Sequence, residues 1–203
     1  MHLVLLVEEQ SMEALLQTLL PRLLPDGCSH DVHAFRCKTD LKRKVAARLR
    51  AYARWLPDDW RILVLVDRDR DDCRALKEEL ERAARGAGLR TASGDERWQV
   101  ANRIVIEELE AWYFGDWQAV RRAFPRVSPT VPDRRGYRDP DAIAGTWEAF
   151  ERILQRHGYF RGGLRKTEAA RVIAAHMDPA RNRSKSFAVF HRTLMGAVPA
   201  AAL

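Results

Sequence analysis

Acidic side chains close three separate apolar runs in this sequence. Val7 is followed by Glu8-Glu9, Val66 by Asp67-Arg68-Asp69-Arg70-Asp71-Asp72, and Ile106 by Glu107-Glu108, with Glu110 just beyond. Two carboxylates about 4 Å apart repel by roughly 4 kcal/mol at an effective dielectric near 20, so a gathering of three or four needs a counter-charge. A divalent cation supplies one. Carboxylate oxygens with no paired His or Cys favour Mg²⁺ or Mn²⁺ over Zn²⁺. In Asp67-x-Asp69 an extended backbone sends both carboxyls to one side, within reach of a single ion, and turns Arg68 and Arg70 away. Asp71 and Asp72 read instead as acids at the start of the next helix, paired with nearby arginines such as Arg74. Asp67, Asp69, Asp71 and Glu78 also match positions 1, 3, 5 and 12 of a calcium-binding loop, but Asp72 replaces the required Gly and a strand precedes it.

For these acids to meet, the runs that carry them must end on one edge of a sheet. Residues 1 to 118 alternate apolar runs with amphipathic stretches in a βαβα rhythm, which predicts an α/β fold with a parallel sheet flanked by helices. Strands are predicted at His2 to Val7, Asp31 to Arg36, Ile62 to Val66 and Val100 to Ile106. Ser11 is read as the cap of a helix interrupted near Pro21, and Asp40 as the cap of a basic amphipathic helix carrying Leu41, Val45, Leu49 and Tyr52. A third helix is expected from Cys73 to Ala87. The segment from Glu107 through Trp112, Tyr113 and Phe114 reads as helical, its aromatics as core, and Asp116 as the cap of a further short helix. Residues 119 to 203 read as a basic helical extension packed on the first unit. Pro140 opens one helix there, Thr167 caps a second, and Ser184 or Ser186 caps a third.

The chain of 203 residues has 46% apolar residues and net charge +7. That apolar content suits a folded core and excludes disordered and collagenous classes. Residues 1 to 110 hold 19 Lys/Arg against 20 Asp/Glu, net −1, and residues 111 to 203 hold 16 against 8, net +8. A polyanion is therefore expected to be held mainly by the second half, through Arg161, Arg165, Lys166, Arg181, Arg183 and Lys185. Three cysteines, Cys28, Cys37 and Cys73, no signal peptide and no membrane-length apolar run lead to the expectation of a cytoplasmic chain with reduced thiols. Cys28-x-His30-x-x-His33-x-x-x-Cys37 holds four zinc-ligand types, but a strand through it places His30 and His33 on opposite faces.

An acid closing the first strand and Asp-x-Asp closing the third resembles the Toprim domain of topoisomerases, primases and overcoming-lysogenization-defect (OLD) nucleases. More narrowly, Val7-Glu8-Glu9-Gln10-Ser11, Leu65 to Cys73, Glu108 to Asp116 and Asn182-Arg183-Ser184-Lys185-Ser186-Phe187 are similar to an uncharacterised bacterial Toprim-like family, domain of unknown function four-two-seven-six. The resemblance implies that Glu8, Asp67 and Asp69 hold Mg²⁺ or Mn²⁺, with Glu110 and Glu108 completing the set. It departs from many Toprim domains in having Glu9 in place of a Gly and no Gly after the aspartates. Carboxylate-held Mg²⁺ suits phosphodiester hydrolysis, with Lys166 or Lys185 neutralising the transition state. Tyr52, Tyr113, Tyr137 and Tyr159 are available as topoisomerase nucleophiles, but the chain leaves little room for the movable domain that reaction needs. The resulting expectation is a nuclease acting on DNA, with RNA the alternative. No Gly-x-x-x-x-Gly-Lys motif is present, so by resemblance to OLD proteins a separate ATPase is the expected partner, in defence against phage or foreign DNA. A homo-oligomer is compatible with this reading. The competing reading is a non-catalytic subunit that binds nucleic acid or the ATPase; a receiver-like regulator is disfavoured by the lack of a suitable Lys after a fifth strand.

Overall fold

Two uninterrupted apolar runs, Leu3–Val7 and Ile62–Val66, form the buried parts of β1 (His2–Val7) and β3 (Trp60–Asp67), which become the central strands, as burial on both faces requires. In a computed structural model, which describes residues 1–95 and 97–198, they lie side by side in a four-stranded sheet of order β2-β1-β3-β4. All neighbours are parallel, and the register sets Val7 beside Leu65 and Asp67 beside Val105. The outer strands are β2 (Ser29–Ala34) and β4 (Val100–Val105). β2 starts two residues before its predicted position because Ser29 N already donates to Met1 O at 3.1 Å.

Eight α-helices flank the sheet among the described residues: α1 (Gln10–Leu23), α2 (Lys38–Ala53), α3 (Cys73–Gly86), α4 (Glu110–Gly115), α5 (Trp117–Ala123), α6 (Thr146–Arg156), α7 (Lys166–Ala174) and α8 (Lys185–Ala197). The two-residue period of the strands decides which helices cover which face. Leu3, Leu5, Val7, Leu63 and Leu65 pack toward α1 and the helices of the second half, whereas Val4, Leu6, Ile62, Val64 and Val66 pack toward α2 and α3. Phe150, Ile173, Phe187 and Phe190 belong to the same buried cluster as α1, and α7 lies against α1. Residue 118 falls inside α5, whose Trp117 and Val120 join that cluster as well. Among the described residues, no helix is long and apolar enough to cross a membrane.

Several predicted helix boundaries move. Pro21 does not interrupt α1; it lies in the last turn, and Leu24 N still donates to Leu20 O at 2.9 Å. α2 starts at Lys38, so Asp40 sits in its first turn, where Arg43 and Lys44 converge on it, instead of capping it. The helix predicted from Pro140 is only a 3-10 turn, Pro140–Ala142, and α6 begins at Thr146 after Gly145 in the left-handed region. Asp141 is the reason. It accepts from Ser184 Oγ at 2.7 Å, Lys185 N at 2.6 Å and Ser186 N at 3.1 Å, serving the start of α8. α7 begins at Lys166 with Arg165, not Thr167, at its cap position; Ser184 and Asp116 cap α8 and α5 as predicted. Gly115 permits a close approach, since a Cβ there would lie 2.0 Å from Asn182 Oδ1. Asn182 Nδ2 donates to Trp112 O, and Arg183 N to Gly115 O, which fastens α4 to the segment before α8.

On the α3 side, Glu81 is a buried carboxylate bridged to β4 by Asn102 Nδ2 at 3.0 Å and held by Lys77 Nζ at 2.9 Å. Burial alone would raise its pKa, but bonds from Asn102, Thr91 and Lys77 outweigh it and hold Glu81 at about 2. Because the folded pKa is depressed, Glu81 contributes stability above about 4.5 that is lost as pH falls toward 2. Glu81→Gln should therefore lower the melting temperature at pH 7 and flatten the loss of stability between pH 4.5 and 2, as read by thermal unfolding across that range.

Candidate metal centre

In the order β2-β1-β3-β4 the chain leaves β1 toward one side for β2, then returns past it to β3. The carboxyl ends of β1 and β3 thus flank the switch point of the sheet, where open parallel sheets leave a crevice. Glu8 follows β1 and Asp67 ends β3. Asp67 N donates to Glu8 Oε2 at 3.0 Å, so the two acids are tied together through the backbone. Asp67 is 5% exposed and Glu110, on α4, is 1% exposed. Asp67 Oδ1 and Glu110 Oε2 are buried without a hydrogen-bond partner. One turn after Glu110, Tyr113 brings a buried hydroxyl that is also unpartnered.

Burial dominates the electrostatics. It pushes Glu8 and Glu110 up to about 7, against Lys38 and the Asp67 amide for Glu8 and against Lys166 for Glu110. Asp67 is pushed well above the usual carboxylate range by burial and by Glu8, Glu110, Glu9 and Asp69. Tyr113 is raised by burial and by Glu110, Glu9 and Asp67, which places its hydroxyl within the field of the same acids. Two lysines supply positive charge. Burial would lower Lys166, but Glu110, Glu9, Glu108 and Asp67 together hold it above its ordinary value. Its Nζ lies 3.8 Å from Glu9 Oε1 and 5.2 Å above the Trp147 ring. Lys38 is likewise raised against burial by Asp69 and Asp71; its Nζ contacts Asp69 at 2.6 Å, Asp71 at 3.1 Å and Arg68 O at 3.0 Å.

Of the predicted ligands, Glu8 and the backbone of Asp67 are joined by a hydrogen bond, and Glu110 lies within electrostatic reach of Asp67. Asp69 is not placed as the alternation predicts: its φ of 48° puts it in the left-handed region, which breaks the extended run and turns its carboxylate to Lys38. Arg68 pairs with Glu107, itself at φ 60°, and Asp72 caps α3 by accepting from Ala75 N. Glu108 spends Oε2 on Thr146 Oγ1 at 2.8 Å and Trp147 N at 2.9 Å, at the start of α6. Among the described residues, no three His, Cys, Asp or Glu side chains already stand so as to hold one ion.

The basic residues divide as well. Lys166 reaches the acids. Lys185 instead lines a cleft of about 330 Å³ with Cys73, Lys77, Ile104 and Val189, along the outer side of β4. Arg181 is half-buried between Asp116 at 3.1 Å and Asp178 at 2.9 Å, and Arg165 pairs with Glu168 at 3.0 Å, whereas Arg161 and Arg183 are exposed. The sequence reading does not single out Lys38 or Trp147, and it offers Glu9 only as an acid closing β1 and Tyr113 only as a core aromatic or a nucleophile. The position of Lys38 at the start of a helix that follows a strand, and the three-residue spacing of Tyr113 from Glu110, were the available signals.

The profile of the family described as Domain of unknown function (DUF4276) matches residues 7–195. The chain belongs to that family. No curated protein and no solved structure matches it. In this DUF4276 member the match spans every residue of the acidic site, from Glu8 to Lys166, so the site lies within the family's common extent.

The donor chemistry fits a hard divalent cation: buried carboxyl oxygens without partners and with only partial cationic compensation. Glu8 and Glu110 have raised folded pKa values, so the stability of their protonated forms is present below about 4.5 and lost as pH rises through about 7. At pH 8 with a chelator, Glu110→Gln should melt at a higher temperature than the native protein. Added Mg²⁺ or Mn²⁺ should raise the melting temperature of the native protein and not that of Glu110→Gln. Equal responses of the two proteins to the ions would exclude Glu110 as a ligand.

Proposed function

We propose that this DUF4276 protein is a Toprim-type nuclease, dependent on Mg²⁺ or Mn²⁺, that hydrolyses phosphodiester bonds in DNA. The observation that carries the reading is the pairing of Glu8 with Asp67 at the switch point, beside Glu110 and Lys166, with carboxyl oxygens of Asp67 and Glu110 left unpartnered. Glu8, Asp67 and Glu110 are the residues that would hold the ion. When bound, a divalent cation lowers the pKa of a water nucleophile and stabilises charge on the phosphoryl oxygens. Lys166 stays protonated at neutral pH and presents its charge at the rim of the same crevice, where a phosphate oxygen would meet it. Lys38 holds Asp69 aside, and Asp69 joins the ligands only when that ion pair opens. The Toprim resemblance supports a separate ATPase partner and a role in defence against foreign DNA; Lys185, remote from the acids, serves binding in this scheme and not the chemistry.

Cleavage of supercoiled, linear and single-stranded DNA and of RNA, with Mg²⁺ or Mn²⁺, tests the reading. Asp67→Ala and Glu8→Ala should each lower the rate at least 100-fold, and Lys166→Ala by about 100- to 1,000-fold, the range of one electrostatic contact at a reacting centre. Cleavage that survives both acid substitutions would sink the metal-nuclease assignment. One observation favours a second reading, the non-catalytic binding subunit: Asp69 is engaged by Lys38, and no three acids are pre-assembled among the described residues. That reading predicts no cleavage under any of these conditions, even with the ATPase present.

A further inference from the structure

A run of exposed positive charge lies on α2. Its inner side, Leu41, Val45, Leu49 and Tyr52, is buried against β1 and β3. Its outer side carries Arg43, Lys44, Arg48, Arg50 and Arg54, all exposed. Asp40 is the one acid of the helix; its side chain is 8% exposed and takes the contacts from Arg43 and Lys44. Arg48, Arg50 and Arg54 make no ion pair among the described residues, and Asp31, on neighbouring β2, pairs with His2.

At 100° per residue these side chains fall in two rows. Arg43 and Arg50, with Arg54 at the C-cap, form one; Lys44 and Arg48 form the other, and the 55% exposed Trp55 follows the helix end with its ring beside Tyr52 and Trp60. Ala47 and Ala51, both exposed, lie between them. Within a row, Lys44 to Arg48 and Arg50 to Arg54 are each about 6 Å apart along the axis. That is the scale of successive phosphates on one strand, and the alanines let a backbone approach between the rows. The helix starts at the acidic crevice, where Lys38 touches Asp69 and Asp71, and runs about 24 Å from Lys38 to Arg54 toward the opposite edge of the sheet.

We propose that the outer face of α2 is a binding surface for the phosphate backbone of duplex nucleic acid, aligned with the acidic crevice at the helix start. The direction along the helix rests on the nuclease reading; the binding itself does not. A lipid surface fits less well, because the apolar side of α2 is consumed by the core and only Trp55 remains to enter a bilayer. The net −1 of residues 1 to 110 conceals this face, since the balancing acids sit at the strand ends and on other helices.

The test is fluorescence anisotropy of a labelled 30-base-pair DNA duplex with the full chain in a chelator, so that binding is read without cleavage. The variant Arg48→Glu/Arg50→Glu/Arg54→Glu should bind at least 10-fold more weakly and show a smaller slope of log affinity against log salt, by about 0.9 for each phosphate it no longer neutralises. The corresponding triple Lys variant should keep the native slope, and duplex should quench the native protein more than Trp55→Phe. Circular dichroism confirms that the variants fold, and single Arg50→Glu repeats the test if the triple variant does not. The inference is overturned if the Glu variant binds as the native protein does, if the native chain does not bind duplex, or if it prefers phosphatidylserine vesicles to duplex. Unchanged binding alongside metal-dependent cleavage would remove the α2 surface and leave the nuclease. Loss of binding with the α2 charges in a protein that never cleaves would do the reverse.

Discussion

The fold is organised around a conflict at its centre: acids of like charge are held in a crevice that water scarcely reaches. The bond from the Asp67 amide to Glu8 shows how the conflict is built in, because the parallel register of β1 and β3 forces the two strand ends together regardless of what their side chains carry. Burial then makes each ionisation expensive, and the neighbouring acids raise the cost again. Lys38 and Lys166 relieve part of this, from opposite sides of the sheet. The remainder is left as unpartnered oxygen atoms, which folded proteins seldom tolerate without use.

The supporting elements follow from that centre. α4 follows β4 directly, so Glu110 is carried over the crevice, and its aromatic neighbours Trp112 and Phe114 hold the short helix in the core. Gly115, Asn182 and Arg183 fasten its far end. α7 packs along α1, which sets Lys166 opposite the strand ends. Sequence segments more than 100 residues apart thus converge on one small volume, and long-range packing holds them more than local propensity does.

How much of this can be read from residues alone depends on the range of the interaction. The parallel sheet was legible because β1 and β3 are built on the unbroken apolar runs Leu3–Val7 and Ile62–Val66, and the edge on which Glu8 and Asp67 meet follows from parallelism. Asp69 was misplaced because strand alternation was extended one residue too far, past the point where Lys38, distant in sequence, captures the carboxylate. Glu108 looked like another ligand, but its bond to the start of α6 comes from a segment 38 residues away and leaves no trace in local pattern. Arg181 looked like a free cation for the same reason, its partner Asp116 being remote in the chain. The basic surplus of the second half was real as a sum, yet charge totals over a segment do not show which faces are paired, and the unpaired face of α2 was hidden within a neutral half.

The bonds that Glu108 accepts from Thr146 and Trp147 bear on how the chain can be divided. The acidic site sits on the sheet, but its surroundings are completed by α6 and α7, and the apolar side of β1 is covered by α1 together with the helices of the second half. A shortened protein ending near residue 118 would keep every proposed metal ligand and lose the surroundings that make them unusual. Glu108 would be freed to solvent, Glu110 would regain water, and the raised proton affinities would relax toward ordinary carboxylates. The chemistry of the first half is a property conferred by the second.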